Sequence, residues 1–553
     1  MEEVQFGNAG RMRRKVFFLL SLCTLSALML ALPWLCNHAG VLSLVAFLPL
    51  LWADLAADEM KVKHFWPYAL YTFVLWNALT TFWVCNATIG GGIFAILANA
   101  AQMTLIWSVF RLSKKYISGA VPYVFLAVMW IAWERHYFSV DISWPWLVLG
   151  NAFAGTTKSV QWYEYTGALG GSLWVWASNL SLFGVLRSVS CGYVRRWNVV
   201  AKVFVFLGVI LAICGPLALS AYMYSCYEER SEGRLDVIIA QPNLDPYEKF
   251  ESLSQAQQTE RLLSLFSDEL RASDDSSGKK LLLAPETFTS DIVINDIESS
   301  ATVKSFRNFL SDYPGAEMLF GASTIQLFNT SSSPNVLARR YGKGWYTSHN
   351  TAFLLRGGSD PQMYQKSRLV VGVESTPYPK LFVPIDDWLS SKMGVSGLMG
   401  RCVGQDRPTS LILSDGVKLG CAVCYESIYG EYCTGYVNAG AQVMTVITND
   451  AWWGDTPGYR QHLNYSRLRA IELRRDFARC GNTGISCFID QRGDIVSKTG
   501  WWKMETLSGS VNLNSEKTFF VRNGDITGRV CTLMFLLLSG LLLGHILLKK
   551  KVS

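Results

Sequence analysis

Nothing in this sequence reads as a disulfide scaffold, a cleaved secretory precursor or a transporter. Its 13 cysteines are odd in number and fall in apolar and polar stretches alike, whereas a cross-linked secreted domain spaces an even set through a short chain. The one close pair, Cys421 and Cys424, has no second pair of ligands to complete a zinc site. Residues three apart in a strand point to opposite faces, which argues equally against a redox pair and leaves Cys421 as a core thiol. No small-residue cleavage site follows the first apolar run, so a retained helix is expected there. No internal repeat of the transporter kind is visible. The net charge of +7 lacks the clustering of a nucleic-acid patch. Much of it sits in short loops between apolar runs, where it reports membrane orientation.

What is present is apolar length. Half of the 553 residues are hydrophobic, concentrated before about residue 225 and after about residue 527. A bilayer-spanning helix needs roughly 20 mostly apolar residues. Such stretches lie at Val16–Leu35, Gly40–Ala56, Phe65–Cys85, Gly91–Phe110, Ala120–Phe138, Ser172–Leu186, Val199–Met223 and Val530–Leu548. The pattern predicts a transmembrane bundle of about seven helices over 1–223, a separate domain over 224–527, and a C-terminal transmembrane helix with a basic tail over 528–553. The charges order these segments. Arg11, Arg13, Arg14, Lys15, Lys61, Lys63, Arg111, Lys114, Lys115, Arg187, Arg195, Arg196 and Lys549–Lys551 all fall on one side. The loops after the first and third helices carry no Lys or Arg, and the loop after the fifth carries little beyond Lys158. Basic residues stay in the cytoplasm, so both termini are expected inside and the 224–527 domain outside.

Within that domain, short apolar runs such as Val237–Ala240, Leu281–Ala284, Met318–Gly321, Thr351–Leu355 and Val443–Ile447 have the length and flanks of buried strands. Helical periods at Ala256–Leu270 and Gln461–Arg479 separate several of them. Strands alternating with helices imply an α/β layered core. The runs at Ile485–Asp490 and Gly509–Leu513 imply an antiparallel finish.

Three strand ends carry reactive groups. Pro285 stops one strand and leaves Glu286 at its mouth. Lys366 follows Tyr364-Gln365, with Glu374 eight residues later. Cys424, with Tyr425 and Glu426, follows the run Leu419–Val423. A thiol at a strand-to-helix turn is exposed to substrate, and backbone N–H groups there can bind an oxyanion. A carboxylate takes the thiol proton and a lysine cation lowers a cysteine pKa, so these three types suffice for acyl transfer without metal, cofactor or histidine. Each alone is a weak signal, because a Glu after Pro is commonly a solvated cap and a strand Cys commonly inert.

In this order and with these flanks, the residues resemble the carbon–nitrogen hydrolase (nitrilase) superfamily. The resemblance rests on Pro285-Glu286, Tyr364-x-Lys366, Cys424-Tyr425-Glu426, Thr448–Asp455, and the run from Gln461-His462 through Arg469–Glu472 to Asn482-Thr483-Gly484. With the helices before and after, and with Trp133-Glu134 and Trp144–Leu147, the whole chain is similar to the apolipoprotein N-acyltransferase family. One departure stands out. Many members read Lys-x-His-Leu-Val-Pro, where this chain has Arg368 in place of the histidine and Val371 in place of the proline.

The resemblance implies a four-layer α-β-β-α sandwich and a Glu286-Lys366-Cys424 triad. Cys424 would attack an acyl ester of a membrane phospholipid, with Glu286 as base and then acid. Lys366 and the Tyr425 N–H would hold the oxyanion, and Glu374 would orient Lys366. The thioester would pass its acyl chain to the N-terminal amine of a diacylglyceryl-cysteine apolipoprotein, with no cofactor or metal. That places the enzyme in the bacterial inner membrane with its domain on the periplasmic side. Trp452 and Trp453 divide between core packing and a wall of the acyl pocket, and Glu426 is grouped with them as substrate-binding. The basic run Arg467, Arg469, Arg474, Arg475 and Arg479 reads as a solvated or ion-paired helix face, and His462 as structural. Tyr378–Gly400, rich in Leu381, Phe382, Trp388, Leu389 and Met393, reads as a lid loop toward the bilayer. Glu134 and Arg135 are candidates by membrane depth. The rival reading, a membrane-tethered amidase or nitrilase, shares the triad but has no need of seven preceding helices.

Overall fold

The computed structural model describes residues 2–245, 253–272, 279–395 and 397–552, with side chains from Met12 to Lys549 within those ranges. Ser396 in the expected lid, and the side chains of Arg11, Lys550 and Lys551, lie outside them. The chain divides into two compact units. One is residues 1–139, 144–226 and 525–553, and the other is 140–143 with 227–524.

The first unit is helical. The apolar stretches named above fall on helices Glu2–Leu35, Leu48–Glu59, Trp66–Thr81, Ile89–Tyr116, Val121–Tyr137, Tyr163–Ser190, Val199–Cys226 and Ile526–Val552, and the stretch expected from Gly40 opens instead with a 3-10 turn, Gly40–Leu44, ahead of the second helix. Among the described residues, six spans are long and apolar enough to cross a membrane by length and composition, the second counted as Gly40–Glu59 with its 3-10 start. Trp66–Thr81 and Val121–Tyr137 are shorter, at 16 and 17 residues. The sixth helix starts at Tyr163, earlier than hydropathy places it, and bends at Gly167, whose φ is +61°. Irregular backbone in a membrane unit must find its hydrogen bonds inside the protein. The 3-10 turns between Pro145 and Ser159 do so in part through Glu134, which is buried and accepts from Leu149 N–H at 2.8 Å and Trp130 Nε1 at 3.1 Å. Arg135 pairs with Asp525 at 3.8 Å.

The second unit holds two sheets. The first contains β1 (Arg234–Gln241), β2 (Lys280–Leu283), β3 (Thr289–Val293), β4 (Ala316–Phe328), β5 (Arg339–Tyr341), β6 (Gly344–Leu355) and β7 (Gln362–Gln365). The second contains β8 (Ser410–Ile412), β9 (Lys418–Val423), β10 (Val443–Thr448), β11 (Phe477–Gly481), β12 (Cys487–Ile489) and β13 (Ile495–Lys498). The chain then returns to the first sheet with β14 (Glu505–Asn512), which pairs antiparallel with β1. Both sheets have parallel centres, β1-β2-β4 and β9-β10-β11. Their finishing pairs β11-β12, β12-β13 and β1-β14 are antiparallel.

The period-2 alternation of a strand sorts the first sheet's side chains into two cores. Val237, Ile239, Leu281 and Leu283 join Cys421, Val423 and Ala478 of the second sheet. Ile238, Ala240 and Leu282 join Leu262, Phe266 and Phe306 of helices Gln255–Ala272 and Ala301–Asp312. Helices Gly430–Asn438 and Pro457–Leu473 cover the second sheet with Cys433, Val437, Ala470 and Leu473. The unit is therefore a nitrilase-like four-layer α-β-β-α sandwich.

Two elements differ from the sequence expectation. The helix expected over Gln461–Arg479 runs Pro457–Leu473, and Arg479 sits on β11. Its arginines are not solvated: Arg469, Arg475 and Arg479 are fully buried, and Arg469 and Arg479 pair with Glu472 and Asp450 at 2.6 Å. The segment expected as a loop contains helix Pro379–Met393. That helix turns Leu381, Ile385, Trp388 and Met393 outward and Asp386 inward, where Arg401 meets it at 2.8 Å.

Candidate active site

The strand ends that carry Glu286, Lys366 and Cys424 converge between the two sheets. Glu286 follows β2 and Pro285, and its backbone leans on β4 at Gly321. A Cβ there would come within 2.6 Å of the Glu286 Cα, so only glycine permits the approach. Lys366 follows β7, and its N–H donates to the Asn350 carbonyl of β6 at 2.8 Å. Cys424 follows β9 with φ +52° and opens a 3-10 turn to Ile428. A non-glycine residue in this region costs about 1–3 kcal/mol and persists only where its surroundings over-determine it.

Glu426 is the main such determinant. One carboxylate oxygen accepts from Val423 N–H at 2.8 Å and Tyr436 O–H at 2.9 Å. The other accepts from Tyr364 O–H at 2.6 Å, Ser367 N–H at 2.7 Å and Arg368 N–H at 3.2 Å. This fully buried carboxylate ties the thiol turn to the exit of β7. This full burial and these five hydrogen bonds make Glu426 part of the scaffold of the turn, not an open substrate wall as expected from the sequence. The far side of the turn is held by His462, whose ring nitrogens lie 3.0 Å from the Cys424 carbonyl and 2.9 Å from Asp450. Burial alone would raise the Asp450 carboxyl. Arg479 and His462 override burial and hold it well below the usual carboxylate range.

Four groups close a ring. Lys366 Nζ lies 3.0 Å from Glu286 Oε1 and 3.0 Å from Glu374 Oε1. The Asn350 amide donates to the same two oxygens at 2.8 and 2.7 Å. Two donors thus hold two carboxylates that would otherwise repel. The sequence did not single out Asn350. The only signal was a polar residue just before the apolar run of β6, directly across from Lys366. With Oε1 doubly occupied, Glu286 has Oε2 for proton transfer, and that oxygen accepts from Asn449 N–H at 3.2 Å.

Electrostatics sets the resting state. Burial draws the Lys366 ammonium pKa down, but Glu286 and Glu374 override it and hold it well above its ordinary value. Burial and then Glu286 push the Cys424 thiol well above its ordinary value, against the pull of Lys366 and a hydrogen bond with Thr448. The sulfur therefore rests as a thiol, and needs a base as it attacks.

The remaining predicted positions lie on and around the turn that carries Cys424. Tyr425 is buried and its O–H donates to the Ser143 carbonyl at 3.0 Å. Trp452 is 41 % exposed, while the Trp453 ring packs edge-on against His462. Cys421 is fully buried and its thiol is pushed up to about 12 by burial. Among the described residues, no group of three or more His, Cys, Asp or Glu is arranged to hold a metal ion.

Two family models match the chain: carbon-nitrogen hydrolase over residues 247–519, and apolipoprotein N-acyltransferase N-terminal domain over residues 26–181. The chain is 29 % identical over 534 residues to an apolipoprotein N-acyltransferase of Chlorobaculum tepidum, spanning 95 % of this chain and 96 % of the relative. It is 23 % identical over 518 residues to one of Geobacter metallireducens, spanning 92 % of each. A solved nitrilase-superfamily protein of Saccharomyces cerevisiae aligns with a TM-score of 0.36 at 15 % identity, over 52 % of this chain and 93 % of that one.

Proposed function

The chain belongs to the apolipoprotein N-acyltransferase family, and we propose that it moves an acyl chain from a membrane phospholipid, through a thioester on Cys424, to the N-terminal amine of a diacylglyceryl-cysteine apolipoprotein. The observation that carries this reading is a thiol on a positive-φ turn beside a carboxylate and an ammonium that already contact each other. Cys424 attacks the ester carbonyl as Glu286 Oε2 takes the thiol proton. The oxyanion is met by the Lys366 ammonium and the Tyr425 N–H. Collapse breaks the ester C–O bond, and Glu286 returns the proton to the departing lysophospholipid oxygen. The acceptor amine then attacks the thioester carbonyl as Glu286 takes an amine proton, collapse breaks the C–S bond, and the departing Cys424 sulfur receives that proton. Two easier steps replace one hard one, and an amide forms from a thioester without nucleotide. Glu374 and Asn350 hold Lys366 and Glu286 in register.

The domain over 224–527 is extracytoplasmic on this reading, anchored by the helices of 1–223 and 528–553 in the bacterial inner membrane. The charge alternation of the connecting loops supports that orientation. The test is intact-mass analysis of the purified chain after incubation with phospholipid. An acyl adduct is expected on the wild type, discharged by a diacylated lipopeptide and absent from Cys424→Ser. An adduct that persists on Cys424→Ser, or one that water discharges as fast as the lipopeptide does, overturns the reading in favour of an unrelated nucleophile or a hydrolase.

A further inference from the structure

We propose that Arg368 is the phosphate-recognising group of this site, binding the phosphodiester of the acyl donor; the inference rests on the transfer reading above. The arginines around the thiol turn are mostly committed. Arg401 pairs with Asp386 and Asp387, Arg469 with Glu472, and Arg479 with Asp450. Arg368 differs. Among the described residues no carboxylate pairs with it, and its Nε is shielded from water without a hydrogen-bond partner. Its guanidinium lies over two aromatic rings, 5.5 Å from the Tyr429 centroid and 5.1 Å from the Tyr432 centroid. Flanking by ring faces holds a planar cation in place by cation–π attraction and leaves its N–H edge for an anion. A dry, unpaired donor is unfavourable unless an acceptor arrives.

Position and charge agree. Arg368 lies two residues beyond Lys366, and its backbone N–H shares with Ser367 the Glu426 oxygen at 3.2 Å that locks the thiol turn. The neighbouring Tyr429 ring in turn packs on Tyr425, the residue after the nucleophile, at 5.3 Å. By formal count the Glu286-Glu374-Lys366 cluster carries two carboxylates to one ammonium. A phosphodiester brought beside that cluster meets net negative charge, and an uncommitted guanidinium is the group that offsets it. A planar guanidinium suits phosphate because it donates two parallel N–H bonds.

The full-length chain is assayed with two donors carrying the same acyl chains, a phospholipid and a phosphate-free diacylglycerol, and one diacylated lipopeptide. Arg368→Gln is expected to raise KM for the phospholipid about tenfold or more and to leave transfer from diacylglycerol unchanged, with Arg368→Lys in between. Equal losses with both donors, or no loss with either, overturn the proposal. Inorganic phosphate distinguishes the sources. If it inhibits the wild type and not Arg368→Gln while the two donors behave alike, the site takes free phosphate and the donor role fails. A second readout needs no turnover: short-chain phospholipid is expected to protect Cys424 from iodoacetamide in the wild type and less in Arg368→Gln. Equal protection overturns the proposal even if the transfer reading itself has failed.

Discussion

Asn350 shows how one neutral residue governs a charged site. Its amide offers two donors to two carboxylate oxygens at 2.8 and 2.7 Å. Asn350→Asp turns both contacts into repulsions and adds a third carboxylate near a thiol that is already shifted upward. A nearby like charge disfavours the thiolate, so the pH profile of Cys424 alkylation moves further upward. A fixed pH of 8 then shows a slowing of about tenfold for each unit of displacement. In the wild type the rise with pH is itself expected above the free-cysteine range, because burial and Glu286 raise this thiol. The double variant Asn350→Asp/Glu374→Gln restores the count of two carboxylates, one amide and one ammonium, and is expected to recover much of the rate. A profile unmoved by Asn350→Asp counts against this account. Residue types and strand ends singled out Glu286, Lys366 and Cys424 as candidates in the sequence, and the fold brings Lys366 to 3.0 Å from Glu286. Asn350 was not legible because its partners come from distant segments, and one polar residue at the head of an apolar strand has no local signature. Glu426 lies two residues past Cys424, and the 3-10 turn between Cys424 and Ile428 folds it inward, which sequence proximity alone does not reveal.

At the scale of elements, helix Pro379–Met393 is hidden from the sequence by Pro384, which removes a helical N–H from its middle. The Pro457–Leu473 helix was overextended because its stop carries no glycine. Arg474 itself takes the left-handed conformation, at φ +49°, where glycine is the usual sequence signal. The basic residues that follow then read as more helix. The Pro379–Met393 helix is tied down by a polar residue, since Arg401 meets the buried Asp386 carboxylate. Removing one partner of a buried pair strands the other at a cost of about 3–5 kcal/mol. Arg401→Ala is therefore expected to speed amide hydrogen exchange through 379–393 while leaving β9 and β10 protected. Unchanged exchange in that helix contradicts the latch.

For the whole molecule, the helical unit was legible from hydropathy because its stretches approach bilayer length. The layered domain was legible from short runs whose alternate residues serve two cores. The orientation argument yields a direct check. Cys36 and Cys191 are both exposed. Cys36 follows the first helix on the side poor in Lys and Arg, and Cys191 lies between Arg187 and Arg195 on the basic side. In single-cysteine variants, an impermeant maleimide added to intact spheroplasts is expected to label Cys36 and to spare Cys191 until the cells are opened. Labelling in the reverse order inverts the proposed topology.

The pairing of β1 with β14 bears on how the enzyme is made. The first strand of the sandwich to leave the ribosome takes as its neighbour the last one, in a register that joins Arg234 to Asn512. Until then its outer edge is bare, and bare edges invite pairing with other chains. Contacts so distant in sequence also form slowly. A chain truncated before residue 505 would therefore carry an unsealed sheet prone to aggregate, so the sandwich stays incomplete until its last strand has been made.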